Sequence, residues 1–250
     1  MNAKHRWRAL CRLCCTAALL AALPAAGQAP LLIHTSDLPP FSMEGQPQAP
    51  GALNDMVAEL LRRTGIPGTI SFMPWSRAVY LTSHQSRSAV FPLTRSPERE
   101  QRYRWLARLY HEHFVFLSEP GGPVDSKHPE RSKAMRVGVL RGSLIARFLK
   151  DQGYHNLVEA TSVEEGLRFL NRGIVDAVVG DRSIFRHVLR DHGDQALRMS
   201  EPVWTTTTWL GGSLDLGQAE VAQFQKAMQA MQDDGSYAKI LKKYGLAPGP

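Results

Sequence analysis

Beyond position 15 the sequence contains no cysteine; the three it has, Cys11, Cys14 and Cys15, lie in a basic N-terminal stretch. With that stretch removed, the chain forms no disulfide and offers neither a thiol nucleophile nor a Cys-ligated zinc site. Long apolar runs are also missing. Leu13 to Leu23 is an apolar run of 11 residues, well short of the roughly 20 that span a bilayer. Neither the Gly-x-Gly-x-x-Gly pattern of dinucleotide sites nor the Gly-x-Ser-x-Gly pattern of serine hydrolases occurs. Acidic residues are absent from positions 1–27, which hold Lys4, Arg6, Arg8 and Arg12. The formal charge of +7 is therefore concentrated at the N-terminus, and the remainder carries 26 basic against 23 acidic residues. That near balance argues against a nucleic-acid partner.

What is present at the N-terminus has a clear order: a basic segment, a short apolar run, then Pro24-Ala25-Ala26-Gly27. This is the layout of a secretory signal peptide. Residues 1–27 are expected to be removed after Gly27, leaving a periplasmic chain with its own hydrophobic core. At 43% hydrophobic and 21% charged residues, the composition is that of a globular protein.

Along the remaining chain, short apolar runs alternate with amphipathic stretches. Strands are predicted at Leu31–Thr35, Thr69–Phe72, Ala89–Leu93, Arg136–Leu140, Asn156–Ala160, Ile174–Gly180 and Ala196–Met199. Helices are predicted at 53–64, closed by Gly65, at 75–83, 143–152 and 182–190. Another opens at the capping box Ser162-Val163-Glu164-Glu165 and ends near Gly173. A short one opens at Ser96-Pro97-Glu98-Arg99, with Ser as N-cap and Pro at the first helical position. Strands separated by helices imply βαβ units and an α/β fold with a mostly parallel sheet in two lobes. Glu119 to Lys133, rich in Gly, Pro and charge, reads as a loop between them.

In open parallel sheets, ligands bind beyond the carboxyl ends of the strands. The residues following the strands are Ser36-Asp37, Trp75-Ser76-Arg77, Thr94 with Arg99, Gly142-Ser143, and Asp181. Together they supply cations, anions, hydroxyls, an aromatic ring and helix N-termini, which suit a small charged polar molecule. Each also has a plain structural explanation: Arg99 on a solvated helix face, Gly142-Ser143 as a turn and cap, Asp181 as a helix cap, Trp75 in the core. His111-Glu112-His113 puts two imidazoles on one strand face, but no third ligand stands at a recognisable spacing, so no metal site and no cofactor is expected.

The order of several segments gives the chain a family likeness. These are Pro39-Pro40-Phe41-Ser42, Gly51 to Asp55, Thr94-Arg95-Ser96-Pro97-Glu98-Arg99, Val137-Gly138-Val139 leading into Gly142-Ser143, Gly173 to Asp181, and Asp234 to Gly245. From about Leu31 to Leu246 the sequence resembles the bacterial extracellular solute-binding proteins of family 3. That resemblance implies a two-lobed, type II periplasmic binding protein fold, each lobe a mostly parallel sheet flanked by helices, with a hinge of two crossing strands. Residues 31–118 with 210–250 would form the first lobe and 119–209 the second. It further implies that Arg99 forks onto a ligand carboxylate and that Asp181 takes an ammonium group. Thr94, Gly142 and Ser143 would add polar contacts, and Phe41 and Trp75 would wall the ligand. Ser36 and Asp37 compete for the place of a first-strand acid, and Arg77 falls in a segment, Pro74-Trp75-Ser76-Arg77, that departs from the family pattern. So does Leu144, where the family often has threonine.

The implied function is capture of an amino-acid-like zwitterion for an ABC permease in the inner membrane, by a monomer without catalysis. Two other readings fit the same scaffold: an enzyme resembling cyclohexadienyl dehydratases, and a ligand-sensing module for a separate receptor.

Overall fold

Leu31–Thr35 forms β1, an apolar strand whose ends and centre are buried. In the computed structural model of the chain, residues 29–121, 132–192 and 197–248 are described. The expected leader, 1–27, lies outside them, as do most of the Glu119–Lys133 segment and Ala196. Helix α1 (Ala52–Thr64) buries Leu53, Met56, Val57 and Leu60 and ends on Gly65 in the left-handed conformation, as its spacing predicts. Then follow β2 (Gly68–Phe72), α2 (Trp75–His84), β3 (Ser88–Thr94) and a 3-10 turn (Pro97–Arg99). The second half contains β5 (Arg136–Leu140), α3 (Leu144–Asp151), β6 (Asn156–Ala160), α4 (Val163–Asn171), β7 (Ala177–Asp181), α5 (Arg182–His192) and the two-residue β8 (Arg198–Met199).

Several boundaries differ from the periodicity reading. The strand expected from Ile174 starts only at Ala177, and Ile174 itself is 43% exposed. An apolar residue just before a strand tells nothing about where pairing begins. The capping box at Ser162 is half formed. Ser162 Oγ accepts the Glu165 N–H, but the Glu165 carboxylate takes the N–H and hydroxyl of Thr161 rather than the N-cap N–H.

The long elements are β4 (Arg104–Ser118) and β9 (Trp204–Gly212), which pair antiparallel from Arg104↔Gly212 to Phe114↔Trp204. At a rise near 3.4 Å per residue, β4 spans roughly 50 Å. Its first part borders the first half of the chain. From Phe114 to Leu117 it pairs with β7. One sheet therefore runs through both halves in the order β2-β1-β3-β9-β4-β7-β5-β6. Pairing is parallel within each half (β1 with β2 and β3, β5 with β6 and β7) and antiparallel wherever β4 or β9 takes part. Ser118 lies beside β8, at the far end of β4. β4 is thus one continuous strand with partners from both halves.

Helices α6 (Gln218–Asp233) and α7 (Ser236–Lys243) return to the first half. Phe224, Met228, Met231 and Leu241 share one core with Leu31, Ile33, Phe41, Met56, Leu60 and Phe91. Asp55 on α1 accepts from both the Tyr244 hydroxyl at 2.7 Å and the Lys243 ammonium at 2.8 Å, tying the chain end to that core. In the second half, side chains alternate along β4: Phe114 and Phe116 join the cluster under α3, Val115 and Leu117 the cluster under α4 and α5. Among the described residues, no helix is long and apolar enough to cross a membrane.

Candidate functional site

Every residue of β3 is buried, and the strand delivers Thr94 to the face between the halves. Pro97 opens the 3-10 turn that brings Arg99 back over the end of β3, where Arg99 is only 8% exposed. Its Nη1 donates to the Thr94 carbonyl at 2.9 Å, and its Nη2 reaches across to the Gly142 carbonyl at 3.4 Å. Among the described residues no carboxylate lies within ion-pair distance of Arg99. Burial lowers its pKa to about 10, which leaves it cationic at neutral pH.

Gly142 meets this arginine from the loop between β5 and α3. It has φ +79°, and a Cβ there would come within 3.3 Å of the Ser76 backbone on α2, so a side chain would press the two halves apart. Ser143 does not cap α3; its hydroxyl donates to the Leu140 carbonyl at 2.6 Å, and no side chain caps the helix N-terminus. Asp181 closes β7 and opens α5. Its Oδ1 accepts the Ser183 N–H at 2.7 Å and its Oδ2 the His113 N–H at 2.8 Å. Burial raises the Asp181 pKa, and these backbone donors oppose the rise. The helix-cap explanation of Asp181 and its position in the cleft are therefore both true of one carboxylate.

Thr94, Arg99, Ser143, Asp181 and Trp75 line one cavity of about 80 Å³ between the halves. Trp75 serves twice, since it also packs with Ala78, Val90, Leu93 and Tyr103. Gly142 borders the cavity through its bond from Arg99. The other three residues picked from sequence lie elsewhere. Phe41 is fully buried in the first-half core, its ring 5.2 Å from that of Tyr110, and Leu38 takes its place in the cavity wall. Asp37 is exposed and accepts the Glu44 N–H at 3.0 Å within its own loop. Arg77 is exposed on α2, outside the lining.

Sequence reasoning missed Glu112. This residue of β4 is 5% exposed, lines the same cavity, and accepts the Thr94 hydroxyl at 3.2 Å. Burial and then the nearby Asp181 push its carboxyl up to about 8; Thr94 and Arg99 pull the other way. The signal lay in the alternation Tyr110, Glu112, Phe114, Phe116, all buried, with an acid in an otherwise aromatic row. His111 and His113 lie on the opposite strand face, where His113 Nδ1 sits 3.2 Å from the Thr205 hydroxyl. Among the described residues, no cluster of His, Cys, Asp and Glu is arranged to hold a metal ion.

A pH dependence follows. The native state binds the Glu112 proton more tightly than the unfolded chain, with a pKa of about 8 against 4.5. Stability from this group is full below the unfolded value and is lost as pH rises towards the native one. Urea unfolding of the unliganded protein should therefore show a decline from about pH 5 to about pH 8 that Glu112→Gln flattens. An unchanged slope in the variant would show that the decline has another source.

The cavity thus joins one buried cation and two buried carboxyl groups from both halves of a hinged sheet. Comparisons with known proteins accord with this geometry. An arginine-binding periplasmic protein of Mannheimia haemolytica is 24% identical over 141 residues, which is 52% of this chain and 59% of that relative, so the match spans little more than half of it. Among solved structures, a histidine kinase sensor domain similar to periplasmic binding proteins gives a TM-score of 0.80 at 16% identity, covering 90% of this chain and 99% of that one. An ancestral arginine-binding protein bound to arginine gives 0.77 at 18% identity, covering 88% and 99%. These likenesses establish the type II periplasmic binding protein fold. The family model of the bacterial extracellular solute-binding proteins, family 3, matches residues 31–247, and the chain belongs to that family.

Proposed function

We propose that the protein captures a small amino-acid-like zwitterion between its two lobes in the periplasm and presents it to an ABC permease, without catalysis of its own. The observation that carries this is Arg99, a buried guanidinium at the lobe interface with no counter-ion among the described residues. A buried charge left unpaired is costly, and a planar fork of donors matches a carboxylate. The ligand carboxylate occupies that fork, its ammonium group lies against Asp181, and the unsatisfied N–H groups at the start of α3 favour the anionic end. Closure follows from β4 and β9, the two strands on which the lobes pivot. Native mass spectrometry of protein purified from periplasm is expected to reveal a co-purifying zwitterion of amino-acid size. A ligand with no carboxylate would overturn the assignment of Arg99.

Two observations favour other uses of the same cleft. The likeness to a kinase sensor domain supports a sensing role, which a receptor encoded beside the protein in place of a permease would favour. A carboxyl group that keeps its proton near neutral pH, as Glu112 does, is also suited to general acid catalysis. Incubation with prephenate or arogenate is expected to give no product, and turnover would replace the binding role by a dehydratase.

A further inference from the structure

A second cavity, of about 280 Å³, lies on the other side of β4 from the cleft. Helix α5 contributes Arg182, Arg186 and Arg190 to its wall, β4 contributes His111 and His113, and the first lobe closes it with the chain from Tyr244 to Pro248. None of the described residues that line it is acidic. Asp55, which lies beyond Tyr244, is already engaged by the Tyr244 hydroxyl and the Lys243 ammonium. The three arginines stand four residues apart on one face of α5, a spacing at which like charges weaken a helix. Arg182 also opens that helix, where the dipole disfavours a cation. Its ion-pair partner, Glu201, is 90% exposed and 3.9 Å away, a pair that contributes little. Arg186 and Arg190 make no ion pair among the described residues. Burial, and then the neighbouring Arg108 and His113, lower the His111 pKa, so positive charge dominates this wall from two elements.

We propose that this cavity is a second binding site, which takes a small free polyanion bearing two or more phosphate or carboxylate groups and thereby favours the closed arrangement of the lobes. The site is separate from the cleft, and its occupation does not depend on what the cleft binds. Arg182 and Arg190 start about 12 Å apart along the helix axis, which spreads the positive charge over more than one anionic group. Guanidinium forks match phosphate and carboxylate oxygens in pairs. Hydroxyl and imidazole donors stand in the same wall. The Ser183 and Tyr110 hydroxyls are 3.2 Å apart, and His113, whose Nδ1 meets Thr205, has an Nε2 without a partner among the described residues. Because the walls come from both lobes, the cavity changes shape when the lobes move. Here they touch across the cleft, where Arg99 reaches the Gly142 carbonyl. Opening the cleft by a pivot on β4 and β9 swings α5 towards Tyr244–Pro248 and narrows the space behind the strands. A polyanion seated there opposes that opening, so by linkage it and a cleft ligand strengthen each other's binding.

The test is calorimetric titration of the whole mature protein with pyrophosphate, citrate and inorganic phosphate at one fixed ionic strength. In the wild type, pyrophosphate or citrate is expected to bind at least about tenfold tighter than inorganic phosphate. The double variant Arg186→Gln/Arg190→Gln should weaken that binding at least about tenfold. Arg172→Gln, which removes an exposed charge outside the cavity, should leave it within about twofold. All three arginines are exposed, and a thermal melt checks that each variant is folded. Since the sequence holds no cysteine beyond position 15, Tyr80→Cys and Lys150→Cys place one spin label on α2 and one on α3. Pulsed electron paramagnetic resonance then reads the distance between lobes. Pyrophosphate is expected to shift the distances towards the shorter, closed value in the wild-type background and not in the double variant. Failure of both pyrophosphate and citrate to bind, or undiminished binding by the folded double variant, overturns the site. Association only with vesicles of phosphatidylglycerol, with no binding of the free anions, overturns it as well. Binding that leaves the lobe distances unchanged overturns the coupling. Neither measurement uses a cleft ligand, so the zwitterion reading stands or falls separately.

Discussion

Arg99→Ala is expected to weaken binding of the native ligand by roughly 10- to 1,000-fold. The arginine is 8% exposed, and a charge-assisted bond to a buried group contributes about 1.5–3 kcal/mol net, with a further penalty for stranding the partner carboxylate. About 1.4 kcal/mol corresponds to each decade. The variant should not lose stability to match, because in the unliganded protein the guanidinium is desolvated with only carbonyl partners and no counter-ion among the described residues. Arg99→Lys keeps the charge and gives up the fork, so it should fall between the two. Calorimetry with the co-purified ligand, paired with urea unfolding, separates these effects. Wild-type affinity in a folded Arg99→Ala protein would make this residue only a brace between lobes.

Phe41→Ala should do the opposite. The ring is fully buried in the core that α1, α6 and α7 close, and it tilts against Tyr110. Removing a buried Phe typically costs about 3–5 kcal/mol, a large part of the roughly 5–15 kcal/mol by which a domain is stable. The urea midpoint should drop sharply, while affinity at low urea stays within a few-fold of wild type. Lost affinity with an unchanged midpoint would return Phe41 to the cleft wall, where the family resemblance puts it.

That reversal shows where the sequence was readable. Regular alternation in the second half revealed β5, α3, β6 and α4 within a residue or two, since each is amphipathic or apolar over its whole length. Polar residues directly after strands led to Thr94, Ser143 and Asp181, because strand ends in this fold face the cleft. The 3-10 turn brought Arg99 there as well. Phe41 misled because Pro39-Pro40-Phe41 is a local motif, while the direction of the ring is set by Tyr110, far along the chain. β4 and β9 were hardest to see. Their pairing joins residues about a hundred positions apart, and register shifts at Trp105/Ala107 and Arg108/Tyr110 interrupt the period-two pattern. Glu112 was hidden with them: without knowing that β4 crosses the cleft, nothing distinguishes its carboxylate from an exposed one.

The placement of β9 also constrains the order in which the molecule assembles. It lies between β3 and β4, so the sheet of the first lobe is missing an inner strand until residues 204–212 arrive, and α6 and α7 cover its core later still. The β5–β7 unit, by contrast, draws on one uninterrupted stretch of chain. Non-local pairing carries the larger loop-closure entropy and forms more slowly. A polypeptide emerging from its N-terminus therefore completes the middle of its sequence first, and the lobe that contains its beginning is finished last.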